Sequence, residues 1–182
     1  MERPDPSDIV RPLLRVRQVR EFTAEPVDAA ELAAITDAGR WSGSSRNAQP
    51  WRFVVIRDTA TLREIHEAGL PQTRSLAAAA AAIMIVMPQQ AGGGISLAYD
   101  EGRAAERMLV AASLLGLGAG IAWLRPEVRP AVAGLLGVPD DRFIRTLLAI
   151  GHPSESGREP KSAPGEARLP REATVFEERW PA

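Results

Sequence analysis

The sequence predicts a single α+β domain. Helical and strand patterns follow one another without regular β-α-β alternation, and no segment repeats another. A chain of 182 residues, 45% apolar and 25% charged, has the size and balance to close one buried core. Residues 1–153 are expected to form that domain and residues 154–182 an extension of it.

The first helical pattern covers residues 7–16. The second, over 28–38, has an explicit start: Asp28 stands at the N-cap, Glu31 at the capping-box position, and Val27 with Leu32 at the spacing of a hydrophobic staple. "WRFVVIRD", residues 51–58, reads as a strand bounded by Pro50, and a short helical pattern follows over 61–68. The run Ala77–Ala82 reads as a helix end packed before the strand of residues 82–88, since Ala is the strongest helix former. That strand is apolar on both faces, which makes it central.

A Gly-rich loop, "AGGGIS", separates the halves. The longest helical pattern, residues 99–115, is apolar nearly all round in its second half, so neighbours or a partner should bury it as the spine of the core. "GAGIAWL" is a short strand, residues 127–136 a helix ended by Gly137 and Pro139, and "RFIRTLLAIGHP" a final strand. After Pro153 the chain turns to Pro, Gly and charge. Such a segment is either disordered or an arm laid on something else, and its close, with Val175, Phe176 and Trp180, favours the arm.

Composition excludes several classes of function. The net charge is −1 with both signs interspersed, which leaves no basic face for nucleic acid. The absence of cysteine removes disulfides, thiolate catalysis and iron–sulfur clusters. No apolar run has the length of a membrane span, and "MERPDPSDIV" has no signal-peptide core, so a cytoplasmic protein without a membrane partner is expected. His66 lacks a second His at helical spacing and His152 ends a strand in "GHP", so no metal site is expected. "GLGAG" at 116–120 follows a helix and lacks the dinucleotide-loop spacing; it reads as helix termination and close packing. No nucleophile–base pair stands out, and no side chain is singled out as catalytic. Any chemistry would then rest with a cofactor.

Two segments carry the candidates. "RVRQVREF", residues 15–22, crowds Arg15, Arg17 and Arg20, which suits either a phosphate held by forked charge-assisted hydrogen bonds or a solvated basic face. "RWSGSSRNAQPWRF", residues 40–53, puts hydroxyls, amides and two Trp where a turn needs only Gly or Asp.

Together, "VRQVREF" and "SSRNAQPWRF" resemble the nitroreductase family of FMN-dependent, NAD(P)H-linked oxidoreductases. "DEGRAAERMLVAASLLGLGAGIAW", "LLGVPDD", "LLAIGHP", "ARLP" and "ERW" extend the likeness over nearly the whole chain. The resemblance implies a mixed, largely antiparallel central sheet flanked by helices, with the C-terminal arm exchanged in a homodimer. It implies that Arg17, Gln18 and Arg20 meet the phosphate, ribityl chain and pyrimidine side of FMN. Ser44, Ser45 and Asn47 would reach the flavin across the dimer interface on a loop fixed by Gln49, Pro50 and Trp51. Arg74 would lie near the pyrimidine edge, Ala122, Trp123 and Leu124 would face the N5 region with their backbone, and Arg168 would bind the phosphate.

The chain departs from the family pattern at Val16, Gln18 and Glu166, where relatives carry Arg, Ser and often Lys. The activity implied is ping-pong transfer of hydride from NADH or NADPH through flavin N5 to a small organic acceptor such as a nitroaromatic or quinone. The departures leave a second reading open, a noncatalytic dimer that binds flavin or another ligand on the same fold.

Overall fold

The computed structural model describes residues 4–89, 94–163 and 165–181. Much of the expected Gly-rich loop, residues 90–93, lies outside the described residues. The chain runs α1 (Pro6–Leu14), α2 (Ala29–Arg40), β1 (Arg52–Ile56), α3 (Thr59–Gly69), β2 (Ala81–Pro88), α4 (Ile95–Leu114), β3 (Gly118–Trp123), α5 (Arg129–Leu135), β4 (Arg142–Gly151) and α6 (Glu155–Arg158). The strands form one sheet in the order β1-β2-β4-β3, with each neighbouring pair antiparallel. The α+β class and largely antiparallel sheet expected from the sequence are therefore present.

Strand alternation builds two cores. Ile83, Ile85 and Met87 of β2 face α2 and α4 together with Leu148 and Ile150 of β4, while Met84 and Val86 face α3 and α5 together with Ile144 and Leu147. β2 is buried from Ala81 to Met87, as a strand apolar on both faces requires. α4 is the spine of the first core through Ala104, Ala105, Met108, Leu109 and Ala112, a stripe at helical spacing whose small residues let the helix lie close on the sheet.

Several boundaries differ from the sequence reading. α1 stops at Leu14, and Asp5 caps it by accepting the Ser7 N–H at 2.8 Å. α4 starts at Ile95, and its last apolar residues, Leu114 and Leu115, are exposed on this single chain. The alanine run divides: a 3₁₀ turn covers Arg74–Ala78, whereas Ala81 and Ala82 are buried in β2. Helix propensity worth a few tenths of a kcal/mol per residue gives way there to burial in a sheet centre. The capping box of α2 is present, with the Asp28 N–H donating to Glu31 Oε2 at 3.0 Å.

Residues 16–22 run along the outer edge of β3. Val19 N–H donates to the Ala119 carbonyl at 2.8 Å, and Ile121 N–H to Gln18 Oε1 at 3.1 Å. Glycine makes this approach possible, because a Cβ at Gly120 would stand 2.3 Å from the Val19 carbonyl oxygen. Phe22 bridges to Pro153, and the Ser154 N–H donates to the Glu21 carbonyl, so α6 stays docked on the body. Beyond Gly157 the described residues are exposed except Phe176, which is half-buried and stacks edge-on with Trp180 at 4.9 Å.

Candidate functional site

A cleft of about 960 Å³ opens between the segment beside β3, the start of the 3₁₀ turn Arg74–Ala78, and the chain from Gly157 to Arg168. Its walls carry Arg15, Arg17, Arg20, Arg74, Arg158, Lys161 and Arg168, against the carboxylates of Glu21 and Glu159. In a chain of net charge −1 the fold has gathered positive charge at one place, and a concave wall focuses its field on an anion.

The cations are not equivalent. Arg17 Nη2 donates to the carbonyls of Gly157, at 3.4 Å, and of Arg158, which ties the first segment to α6. Arg20 Nη2 donates to Gln18 Oε1 at 2.8 Å, the oxygen that also accepts the Ile121 N–H. Gln18 is thus a joint between β3 and the cleft wall. Among the described residues Arg168 donates only to its neighbour's carbonyl, at 2.6 Å from the Ala167 oxygen.

Glu21 accepts from Ser156 Oγ at 2.5 Å and from Lys161 Nζ at 3.2 Å. The Ser156 hydroxyl first and Lys161 second hold its carboxyl below the ordinary 4.5. Lys161 is therefore partly neutralised, and Glu21 pins the tail where it enters the cleft.

At the far end of β3, Ala122 and Leu124 are buried in the α3/α5 core and Trp123 is half exposed. Only backbone at 122 and 124 is available to a ligand, and the Leu124 N–H already donates to the Arg145 carbonyl at 2.8 Å.

The loop from Ser44 to Gln49 does not line this cleft. The Ser45 N–H is shared between both carboxylate oxygens of Asp100 at 3.1 Å, and the Gln49 N–H donates to Ser44 Oγ at 2.9 Å. Arg46, Asn47 and Gln49 have φ of 53°, 55° and 47°. Non-glycine residues in the left-handed region store strain that a framework must hold, and such strain concentrates at functional sites. The framework here is Asp100, buried on α4, with Pro50 and Trp51 buried behind the loop. Trp51 packs in the first core.

Residues 15–96 match the model of the nitroreductase family. Over these residues the chain is similar to that family. A candidate NADH dehydrogenase/NAD(P)H nitroreductase of Archaeoglobus fulgidus is 28% identical to it over 76% of this chain and 82% of its own. A candidate nitroreductase of Desulfovibrio desulfuricans, solved in complex with FMN, is 25% identical, with a TM-score of 0.76 over 98% of this chain and 100% of its own. The FMN-dependent nitroreductase of Clostridium difficile R20291 shares the fold, with a TM-score of 0.79, 23% identity, and coverage of 92% of this chain and 98% of its own.

In this chain Arg17, Gln18, Arg20, Arg74 and Arg168 meet in one cleft although Arg17 and Arg168 are far apart in sequence. Ala122, Trp123 and Leu124 extend from its wall along β3, while Ser44, Ser45, Asn47 and Gln49 stand on a separate loop. The reading of the residues passed over Arg158, Lys161 and Asp100. A signal for Asp100 was present, because it falls on the same helical stripe as Ala104 and Met108. Arg158 and Lys161 gave none in a tail without periodicity. Among the described residues no group of three His, Cys, Asp or Glu is placed to hold a metal ion, and no helix is long and apolar enough to cross a membrane.

Proposed function

We propose that the chain is an FMN-dependent oxidoreductase that works as a homodimer and draws on NADH or NADPH. The observation that carries this reading is the basic cleft in which Arg17, Gln18, Arg20, Arg74 and Arg168 converge, in a chain similar to a family of oxidoreductases. The donor set fits the group. Guanidiniums match a phosphate dianion bidentately, and the Gln18 amide with Arg20 offers donors to a ribityl chain or a pyrimidine carbonyl. When bound, FMN would supply two-electron chemistry, taking hydride from the nicotinamide and passing electrons to a small organic acceptor such as a nitroaromatic or quinone.

The residues then have separate tasks. Arg17, Arg20 and Arg168 bind and orient through the phosphate end. Arg74 stands beside Glu21 and contributes a positive potential at the cleft, which favours negative charge on a ligand ring held there. The Ser44–Gln49 loop, held rigid by Asp100, is assigned to the second site of the dimer, where it would complete the binding surface across the interface. Exposed apolar groups support that dimer: Ile9, Leu13 and Leu14 on α1, Ile95, Tyr99 and Leu114 on α4, and Leu169 and Trp180 on the arm.

The test is to purify the chain without added cofactor, record its visible spectrum, and add NADH or NADPH under argon. Flavin bands that bleach, and return with a nitroaromatic or quinone, are expected. A colourless protein that takes up no added FMN would remove the reading.

A further inference from the structure

α4 lays a stripe of small and apolar residues on the sheet, and a carboxylate interrupts it. Glu101, one turn before Ala105, is 2% exposed and pairs with Arg145 of β4. Its Oε2 accepts from Arg145 Nη2, while Oε1 is buried without a partner among the described residues. A buried ion pair is commonly no more stabilising than an apolar pair of similar volume, and a carboxylate oxygen without a donor adds a further cost. Such a pair contributes little net stability, and what it supplies is direction.

The direction is set in β4. Met84 pairs with Leu147 and Val86 with Ile144, so Ile85 stands opposite two residues, Arg145 and Thr146. Ile144 and Leu147 consequently both face the α3/α5 core, and Arg145 turns to the other face, where it meets Glu101 and lies over the Phe143 ring at 5.7 Å. The main chain of the same bulge holds β3. The ladder between the two strands ends with Trp123 opposite Thr146. Beyond it the Leu124 N–H donates to the Arg145 carbonyl at 2.8 Å, and the Leu124 carbonyl accepts from Arg129 Nε at 3.0 Å.

We propose that Glu101, acting through Arg145, is a positioning residue that fixes the end of β3. Its bearing on catalysis rests on the function proposed above. There Gln18 offers its amide to the flavin, and Gln18 hangs on β3 by the Ile121 N–H. A displaced strand would move the support of the ring, and small misplacements of reacting groups are costly in rate.

The experiment compares wild type with Glu101→Met/Arg145→Met, which replaces the pair by apolar side chains, and with Glu101→Asp, which keeps the charge. Hydrogen exchange of the Leu124 amide is measured in the chain without flavin, with the amides of β2 as the internal reference. The double Met variant should unfold in urea at the wild-type midpoint or above it, because neither member is left as a lone buried charge. Its Leu124 amide should nevertheless exchange roughly tenfold faster relative to β2, as local opening requires, and Glu101→Asp should recover part of the protection. Loaded with FMN, the double variant should show a shifted flavin midpoint potential, with kcat for NADH or NADPH oxidation lowered roughly fivefold or more and KM within about twofold of wild type.

Unchanged exchange at Leu124 would overturn the proposal. So would a lower midpoint with exchange in β2 rising as much as at Leu124, which would make the pair a stabiliser alone. Faster exchange at Leu124 with potential, kcat and KM unchanged would confine the pair to the strand and overturn its bearing on catalysis. If wild type takes up no FMN, the function proposed above fails, and the exchange data still decide whether Glu101 positions Leu124.

Discussion

Asp100 is the residue on which the Ser44–Gln49 loop depends. Its buried carboxylate accepts the Ser45 N–H with both oxygens and lies 4.0 Å from Arg103 Nη1. Asp100→Ala removes a hydrogen bond to a charged acceptor and should cost about 2 kcal/mol in urea unfolding, with Asp100→Asn costing less because one acceptor remains. Arg20→Ala and Arg168→Ala should each weaken FMN retention, read from the flavin released on gel filtration, with the unfolding midpoint unchanged. Unaltered retention would sink their assignment. Glu21 gives a pH-dependent prediction. Its carboxyl is held below 4.5, so its grip on Ser156 and Lys161 is in force above that value and is lost as the pH falls further and the group protonates. Limited proteolysis of the tail should accelerate over that acid range in wild type, whereas Glu21→Gln should show the fast rate already at neutral pH. At this scale the basic cluster at 15–20 was legible from residue type alone. Asp100, Arg158 and Lys161 were not, because their meaning comes from neighbours distant in sequence.

The elements were legible wherever local signals agreed. The start of α2, with its capping box, and the central placement of β2, apolar on both faces, need only nearby residues to specify them. The end of the alanine run was not, because Ala81 and Ala82 join an interior strand of the four-stranded sheet, paired with β4, out of a helix-forming sequence. The edge of β3 shows how an element makes a site: Gly118 and Gly120 leave room for residues 16–20, and those residues become the cleft wall. Gly120→Val would drive a side chain into the Val19 backbone. It should destabilise the fold by about 2–3 kcal/mol, the cost of overpacking, and expose residues 15–22 to protease while the sheet persists. An unchanged melting temperature would show that this contact is not the one that holds the segment.

For the whole molecule the exposed apolar surface bears on assembly. Beyond Lys161 the described residues are exposed apart from Phe176, which stacks on Trp180, and α1 has no buried residue. On the proposed dimeric reading, the full chain should run as a dimer on light-scattering chromatography, and truncation after Lys161, which spares α6 and its docking, should leave a folded domain that runs as monomers or aggregates. A stable dimer without the tail would show that the arm does not hold the subunits together. The sequence by itself determined the α+β class, most elements, the exclusion of thiol chemistry and the likeness to a flavin-dependent family, since each follows from residue type, local periodicity or motif spacing. Only the tertiary structure decided which charges meet. Arg17, Arg74, Arg158 and Arg168 become neighbours through sheet pairing and chain reversal, and these long-range contacts are fixed by burial of the two cores, which no local pattern encodes.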